Sequence, residues 1–350
     1  MKKERNSSFE LLRILCMLLI VLHHMAVYTN FHTLNTIDKT SLEVLSLGGK
    51  IGVEAFVLIG SYFLIGRNFK MIRPLSIVVN TIFYFYAILL VSILLGIPVL
   101  NYVAKASLIL PFPKEYWFVV YYVLLLISAP ILNIVIDNLS KRQYELMLLC
   151  MFVIWCLCPT FIAEDLGYSE YILFISLYFV AGYIKIYPNK LLDNKKLISR
   201  LTLLSIILTI LSVIMLNVLG LKINAAATHS TYFLGANKLL TVTNSIGLFC
   251  VFRNLQIKSN KTINSIAASS FGIYLIHENP VMRKVIWNYV SSLKINVPIF
   301  IYGLIAALVV YIVCLFIDQI KKIIFDRFLD KIALKVSNMI SNKVQKFLKN

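Results

Sequence analysis

The residues able to do chemistry concentrate in the first apolar segment, FELLRILCMLLIVLHH (9–24), where Glu10, Arg13, His23 and His24 interrupt a run of Leu, Ile, Val and Met. Ionisable groups are expensive inside a bilayer and need a partner, a wet cavity or a function. Arg13 and His24 stand eleven positions apart, three turns plus about 20° and about 16 Å along the axis, so they share one helix face. His23 points about 100° away from His24. Glu10, three positions before Arg13, is placed to pair with it. The spacing predicts one wet stripe from the arginine to a deep imidazole. A neutral imidazole there suits general-base chemistry on a hydroxyl, or nucleophilic capture of an acyl group. Further along, Glu54 is the lone carboxylate of GVEAFVLIGSYFL (52–64) and is expected to orient His24 or Arg13. Trp117, and the pair His277 and Glu278 beside Pro280, are candidates for positioning a substrate. His32 and His229 fall in loops without a partner in the sequence and are not counted.

The elements that must hold these groups follow from composition. Of 350 residues, 59% are apolar and 14% charged, against the roughly 45–50% apolar content of soluble domains. Runs bounded by polar residues, Pro or Gly predict an all-α membrane protein of about ten spans, near 9–29, 50–66, 75–97, 116–137, 144–162, 170–187, 201–219, 233–253, 266–281 and 298–318. Lys and Arg outnumber Asp and Glu by 34 to 16 and punctuate the runs. Lys2, Lys3 and Arg5, then Arg67, Lys70 and Arg73, then Lys141 and Arg142 fall on alternate loops, which places both termini in the cytoplasm. That dispersal argues against nucleic acid as a partner and for membrane lipids. Arg13 and the lack of a small-residue cleavage site argue against a removable signal.

Residues 1–318 are therefore expected to form one membrane-embedded domain. The basic tail, 319–350, shows an amphipathic repeat (Ile324, Phe328, Ile332, Val336, Ile340) that predicts a helix lying on the anionic inner leaflet. The six cysteines lie in or beside apolar runs without metal-ligand spacing, so neither disulfides nor a metal site is expected.

FELLRILCMLLIVLHH, GVEAFVLIGSYFL with RNFKMIRP (67–74), EYWFVVYYVLLLISAPILN (115–133) and SSFGIYLIHENP (269–280), in this order, resemble the acyltransferase family 3 membrane proteins. The resemblance runs from position 9 to about 318. It implies transfer of an acyl group, most often acetyl from acetyl-CoA, to sugar hydroxyls of surface or lipid-linked glycans. It assigns the membrane arginine to Arg13, the essential histidine to His24, and the basic donor motif to Arg67 with Lys70 or Arg73. Guanidinium groups suit the phosphates of coenzyme A. The rival reading, a proton-coupled transporter or glycan exporter, would also use intramembrane Arg, His and Glu, but neither internal repeats nor paired broken helices are visible in the sequence.

Overall fold

The computed structural model describes residues 6–31, 35–101, 116–162, 166–293 and 297–349. Lys2, Lys3, Arg5, His32 and Glu115 lie outside these. Among the described residues there are helices and no strands: α1 (Ser7–Tyr28), α2 (Thr36–Ser46), α3 (Gly48–Leu64), α4 (Ile72–Leu94), α5 (Trp117–Asn138), α6 (Lys141–Phe152) and α7 (Cys158–Phe161). They continue as α8 (Glu170–Ile186), α9 (Lys190–Asp193), α10 (Lys195–Gly220), α11 (Asn224–Thr228), α12 (Leu239–Arg253), α13 (Lys261–Ala268), α14 (Ser270–His277), α15 (Pro280–Ser292) and α16 (Ile299–Lys349). Polar caps start many of them: Asn6, Asn35, Ser169, Asn194 and Asn260 each accept a first-turn backbone N–H, which satisfies donors that a helix leaves orphaned.

Each of the ten apolar segments falls on helix, but among the described residues six helices are long and apolar enough to cross a membrane: α1, α4, α5, the α6–α7 run, α10 and α16. The others are shorter for visible reasons. Helices α3 and α8 have 17 residues and α12 has 15, while the ninth segment is broken at Ser269 and again at Glu278–Asn279. Large apolar side chains such as Ile131, Leu203 and Met215 are exposed on the outside of the bundle, and Glu54, Asn244, His277 and Asp318 are buried within it. That inversion suits a lipid surround.

The basic tail is helical and continuous with the last apolar segment: α16 runs 51 residues from Ile299 to Lys349 without interruption. The stretch has no proline and a single glycine, Gly303, so nothing stops the last apolar segment from continuing. At 1.5 Å per residue it is roughly 76 Å long.

Two close approaches fix the helices that carry the site. Gly48 and Gly52 form a GxxxG pair on α3 facing α1: a Cβ at Gly48 would meet Leu19 at 2.6 Å and one at Gly52 the Cys16 carbonyl oxygen at 2.7 Å. Small residues let the two backbones approach and gain dispersion contacts. On α14, Gly272 lies against the Asp318 carboxylate of α16. Asp318 accepts from Tyr84 of α4 at 2.5 Å and lies 2.8 Å from the Lys322 ammonium, so a buried polar cluster sets the register of α14 against α4 and α16.

Candidate active site

The last turn of α1 carries His23, His24 and Tyr28, and the end of α14 brings His277 and Glu278 against it. His24 Nδ1 lies 2.9 Å from His277 Nε2 and 3.0 Å from Glu278 Oε2. His277 Nδ1 lies 2.6 Å from the Ile273 carbonyl oxygen, one turn back on its own helix. A carbonyl can only accept, so His277 Nδ1 carries a proton and the Nε2 of a neutral His277 is an acceptor. His24 Nδ1 must then donate, which leaves His24 Nε2 as the lone-pair nitrogen. The remaining carboxylate oxygen, Glu278 Oε1, accepts from Tyr28 at 3.1 Å and from Arg283 Nη1 at 2.9 Å. Arg283 also lies over the Tyr28 ring, and Tyr28 stacks on His24 with centroids 5.2 Å apart.

His24 lines a cavity of about 180 Å³ together with His23, Tyr28, Lys50, Trp117 and Tyr274. His277 and Glu278, expected to contact a substrate, do not line it; they are 0% and 2% exposed and sit behind His24. His23 does line it, despite the angular separation from His24, because the wall spans more than one helix face. It is otherwise engaged: its Nδ1 is 2.8 Å from the Ser46 carbonyl oxygen at the end of α2. Near the rim, the Lys50 ammonium stands 4.9 Å over the Trp117 ring and 3.1 Å from Glu170 Oε1.

The other expected residues lie elsewhere. Arg13 pairs with Glu10 at 2.9 Å but does not line the cavity, and the α1 side chains that do so below His24 are Met17 and Ile20. The stripe between Arg13 and His24 is thus apolar where it meets the cavity, not wet. Glu54 meets neither His24 nor Arg13. It is fully buried, its Oε2 accepting from Ser245 of α12 at 2.7 Å while Oε1 has no partner. Helix phase explains this: Gly52 faces α1, and position 54 is about 200° further round. At the opposite end of α3, Arg67 and Arg73 border a small pocket with Leu64, Phe69, Pro74 and Pro130, whereas Lys70 is exposed and outside it. Gly66, at φ +67°, makes the turn into this segment, a conformation that favours glycine.

One ligand-capable atom each of His24, His277 and Glu278 lies within 4.8 Å of the others, a His–His–carboxylate set of a type zinc uses. His24 Nδ1 is 2.9 Å from His277 Nε2 and 3.0 Å from Glu278 Oε2, whereas tetrahedral bonds of about 2.05 Å would spread the atoms to roughly 3.3 Å. A proton between the two imidazoles fits this arrangement without adjustment.

Sequence reasoning missed Tyr28, Lys50, Glu170 and Arg283. Tyr28 carried a usable signal, standing one helical turn beyond His24. The others are placed by contacts between distant segments.

The domain-family model described as an acyltransferase domain, Acyl_transf_3, matches residues 6–318. No curated protein and no solved structure gives a significant match.

Proposed function

The chain belongs to acyltransferase family 3 and is a membrane acyltransferase; from that premise we propose that it is a multi-pass cell-membrane enzyme that moves an acetyl group from cytosolic acetyl-CoA to a hydroxyl of a cell-surface or lipid-linked glycan. The observation carrying this reading is the tautomer chain from Ile273 through His277 to His24, which leaves a basic nitrogen on an imidazole that lines a cavity.

In this reaction His24 Nε2 takes the proton of the acceptor hydroxyl as its oxygen attacks the thioester carbon. The tetrahedral intermediate collapses, the C–S bond breaks, and the departing CoA sulfur receives the proton from the imidazolium. His277 holds the ring through Nδ1, and the Glu278 carboxylate, 3.0 Å from the same nitrogen, offsets the positive charge that forms there, while Tyr28 and Arg283 fix the carboxylate. In a two-step route Nε2 attacks the thioester carbon, the C–S bond breaks and CoA leaves as the thiolate; the hydroxyl oxygen then attacks the acetyl carbon, the C–N bond breaks, and the hydroxyl proton goes to the freed Nε2 and from there to the CoA thiolate.

The positive-inside bias puts both termini and the Arg67–Arg73 pocket in the cytoplasm, where the phosphates of the donor arrive. The cavity then lies toward the opposite face, because α1 ends there. The family match favours this reading over the proton-coupled carrier.

Glycan analysis of a strain lacking the gene, before and after mild alkali, tests the proposal. An alkali-labile O-acetyl ester should disappear and return with the wild-type gene but not with His24→Ala at equal membrane abundance. An unchanged ester content in the deletion strain would sink the proposal.

A further inference from the structure

Lys50 and Glu170 have no part in the mechanism above, yet Lys50 lines the cavity it uses and Glu170 is paired with Lys50. We propose that Lys50, Glu170 and Trp117 form the acceptor subsite, and that this subsite takes an uncharged, polyhydroxylated sugar unit, not an acidic one. The inference rests on the acyl-transfer reading and adds the chemical class of its acceptor.

Position comes first. Lys50 is in the first turn of α3, and Trp117 and Glu170 are the first residues of α5 and α8. These three helix starts meet where α1 ends, at the opposite end of the bundle from Arg67 and Arg73. Lys50 and Trp117 line the same cavity as His24.

Hydrogen-bonding capacity comes next. The ammonium has three donors, and one goes to Glu170 Oε1 at 3.1 Å. The carboxylate accepts that bond and one from Tyr168 at 3.0 Å, which leaves lone pairs on both oxygens. The Lys50 and Glu170 side chains are 31% and 24% exposed, so these spare donors and acceptors remain within reach of a ligand. Adjacent sugar hydroxyls each donate and accept, and they are complementary to such a pair. The apolar C–H face of the ring matches the indole of Trp117.

Charge decides the class. Glu170 neutralises Lys50, and Glu278 neutralises Arg283. An acidic sugar would therefore meet no uncompensated cation from these pairs, and it would lie beside the Glu170 carboxylate. A neutral sugar incurs no such repulsion.

The test uses the full-length protein in membrane vesicles supplied with acetyl-labelled acetyl-CoA, the resident glycan being the acceptor. Label is divided between glycan ester and free acetate, the product when water replaces the acceptor. For Lys50→Met and for Glu170→Gln the ratio of ester to acetate should fall about tenfold or more, the size of a lost charged hydrogen bond. A ratio that falls in Lys50→Met but rises in Glu170→Gln means an anionic acceptor and overturns the proposal. Wild-type ratios in both variants also overturn it, leaving the pair as a latch between α3 and α8. If the single variants do not accumulate, the charge-swapped Lys50→Glu/Glu170→Lys protein keeps the latch and is read instead. Its ratio must fall, and a wild-type ratio overturns the proposal. Wild-type vesicles that yield neither ester nor acetate would count against the acyl-transfer reading itself, a failure distinct from any of these.

Discussion

The two ends of the bundle are built on opposite plans. Around His24, polar groups are arranged in sequence: the Ile273 carbonyl orients His277, His277 holds His24, the Glu278 carboxylate lies 3.0 Å from the same His24 nitrogen, and Tyr28 and Arg283 hold Glu278. The side chains of Arg67, Lys70 and Arg73 make no hydrogen bond or ion pair among the described residues, and the pocket that Arg67 and Arg73 border is small. The first end has its orientation fixed before any substrate arrives, the condition for stabilising charge that develops during a reaction. The second keeps its cations unpaired, the condition for binding an anion that brings its own charges. Preorganisation at one end and unspent charge at the other fit a site where bonds change and a site where a donor docks.

If that contrast is right, the largest effects belong to the His24 end. His24→Ala should lower acetyl transfer by about 10²–10⁴-fold, the range for a lost general base, as measured by glycan ester at matched membrane levels. His23→Ala should cost less, because its Nδ1 serves only the Ser46 carbonyl. Equal losses would erase the distinction between the two imidazoles. Glu278→Gln, which keeps the shape but removes the charge, should cost about 10–100-fold, as partners of reacting groups commonly do. Tyr28→Phe should cost less, since Arg283 still holds the same carboxylate oxygen.

At the other end the expected change lies in donor affinity. Arg67→Ala or Arg73→Ala should raise the KM for acetyl-CoA about tenfold with kcat nearly kept, whereas Lys70→Ala, outside the pocket, should leave both near wild type. Donor titration in vesicles reads this directly. A fall in kcat without a change in KM would remove the donor assignment.

The all-helical, membrane-spanning character was legible because apolar content and the spacing of apolar runs are properties of composition and order. The lengths of α3, α8 and α12 and the break after His277 were less so, since they depend on caps and packing that hydropathy does not weigh. The pairing of Glu10 with Arg13 could be read because both sit on one helix within a turn. Glu54 could not be placed, because its partner Ser245 lies 191 positions away. The same distance problem explains His277 and Glu278: the sequence marked them as candidates but gave no sign that they stand behind His24, 253 positions from His277.

The break between α14 and α15 carries a consequence for how backbone order and turnover are balanced. The carbonyl end of α14 and the amide end of α15 meet at Glu278–Asn279, so two peptide dipoles end beside the His24 imidazole. The Asn279 side chain accepts from the Val281 N–H at 3.0 Å, and Pro280 has no N–H to satisfy. The amide end is thereby quieted, while the carbonyl end, with His277 in its last turn, remains to favour a transient cation by about 0.3–1 kcal/mol. A helix running straight through would regain backbone hydrogen bonds and lose that field. On the acyl-transfer reading, greater heat resistance and faster transfer would pull in opposite directions at this junction, where Asn279 and Pro280 open the second helix.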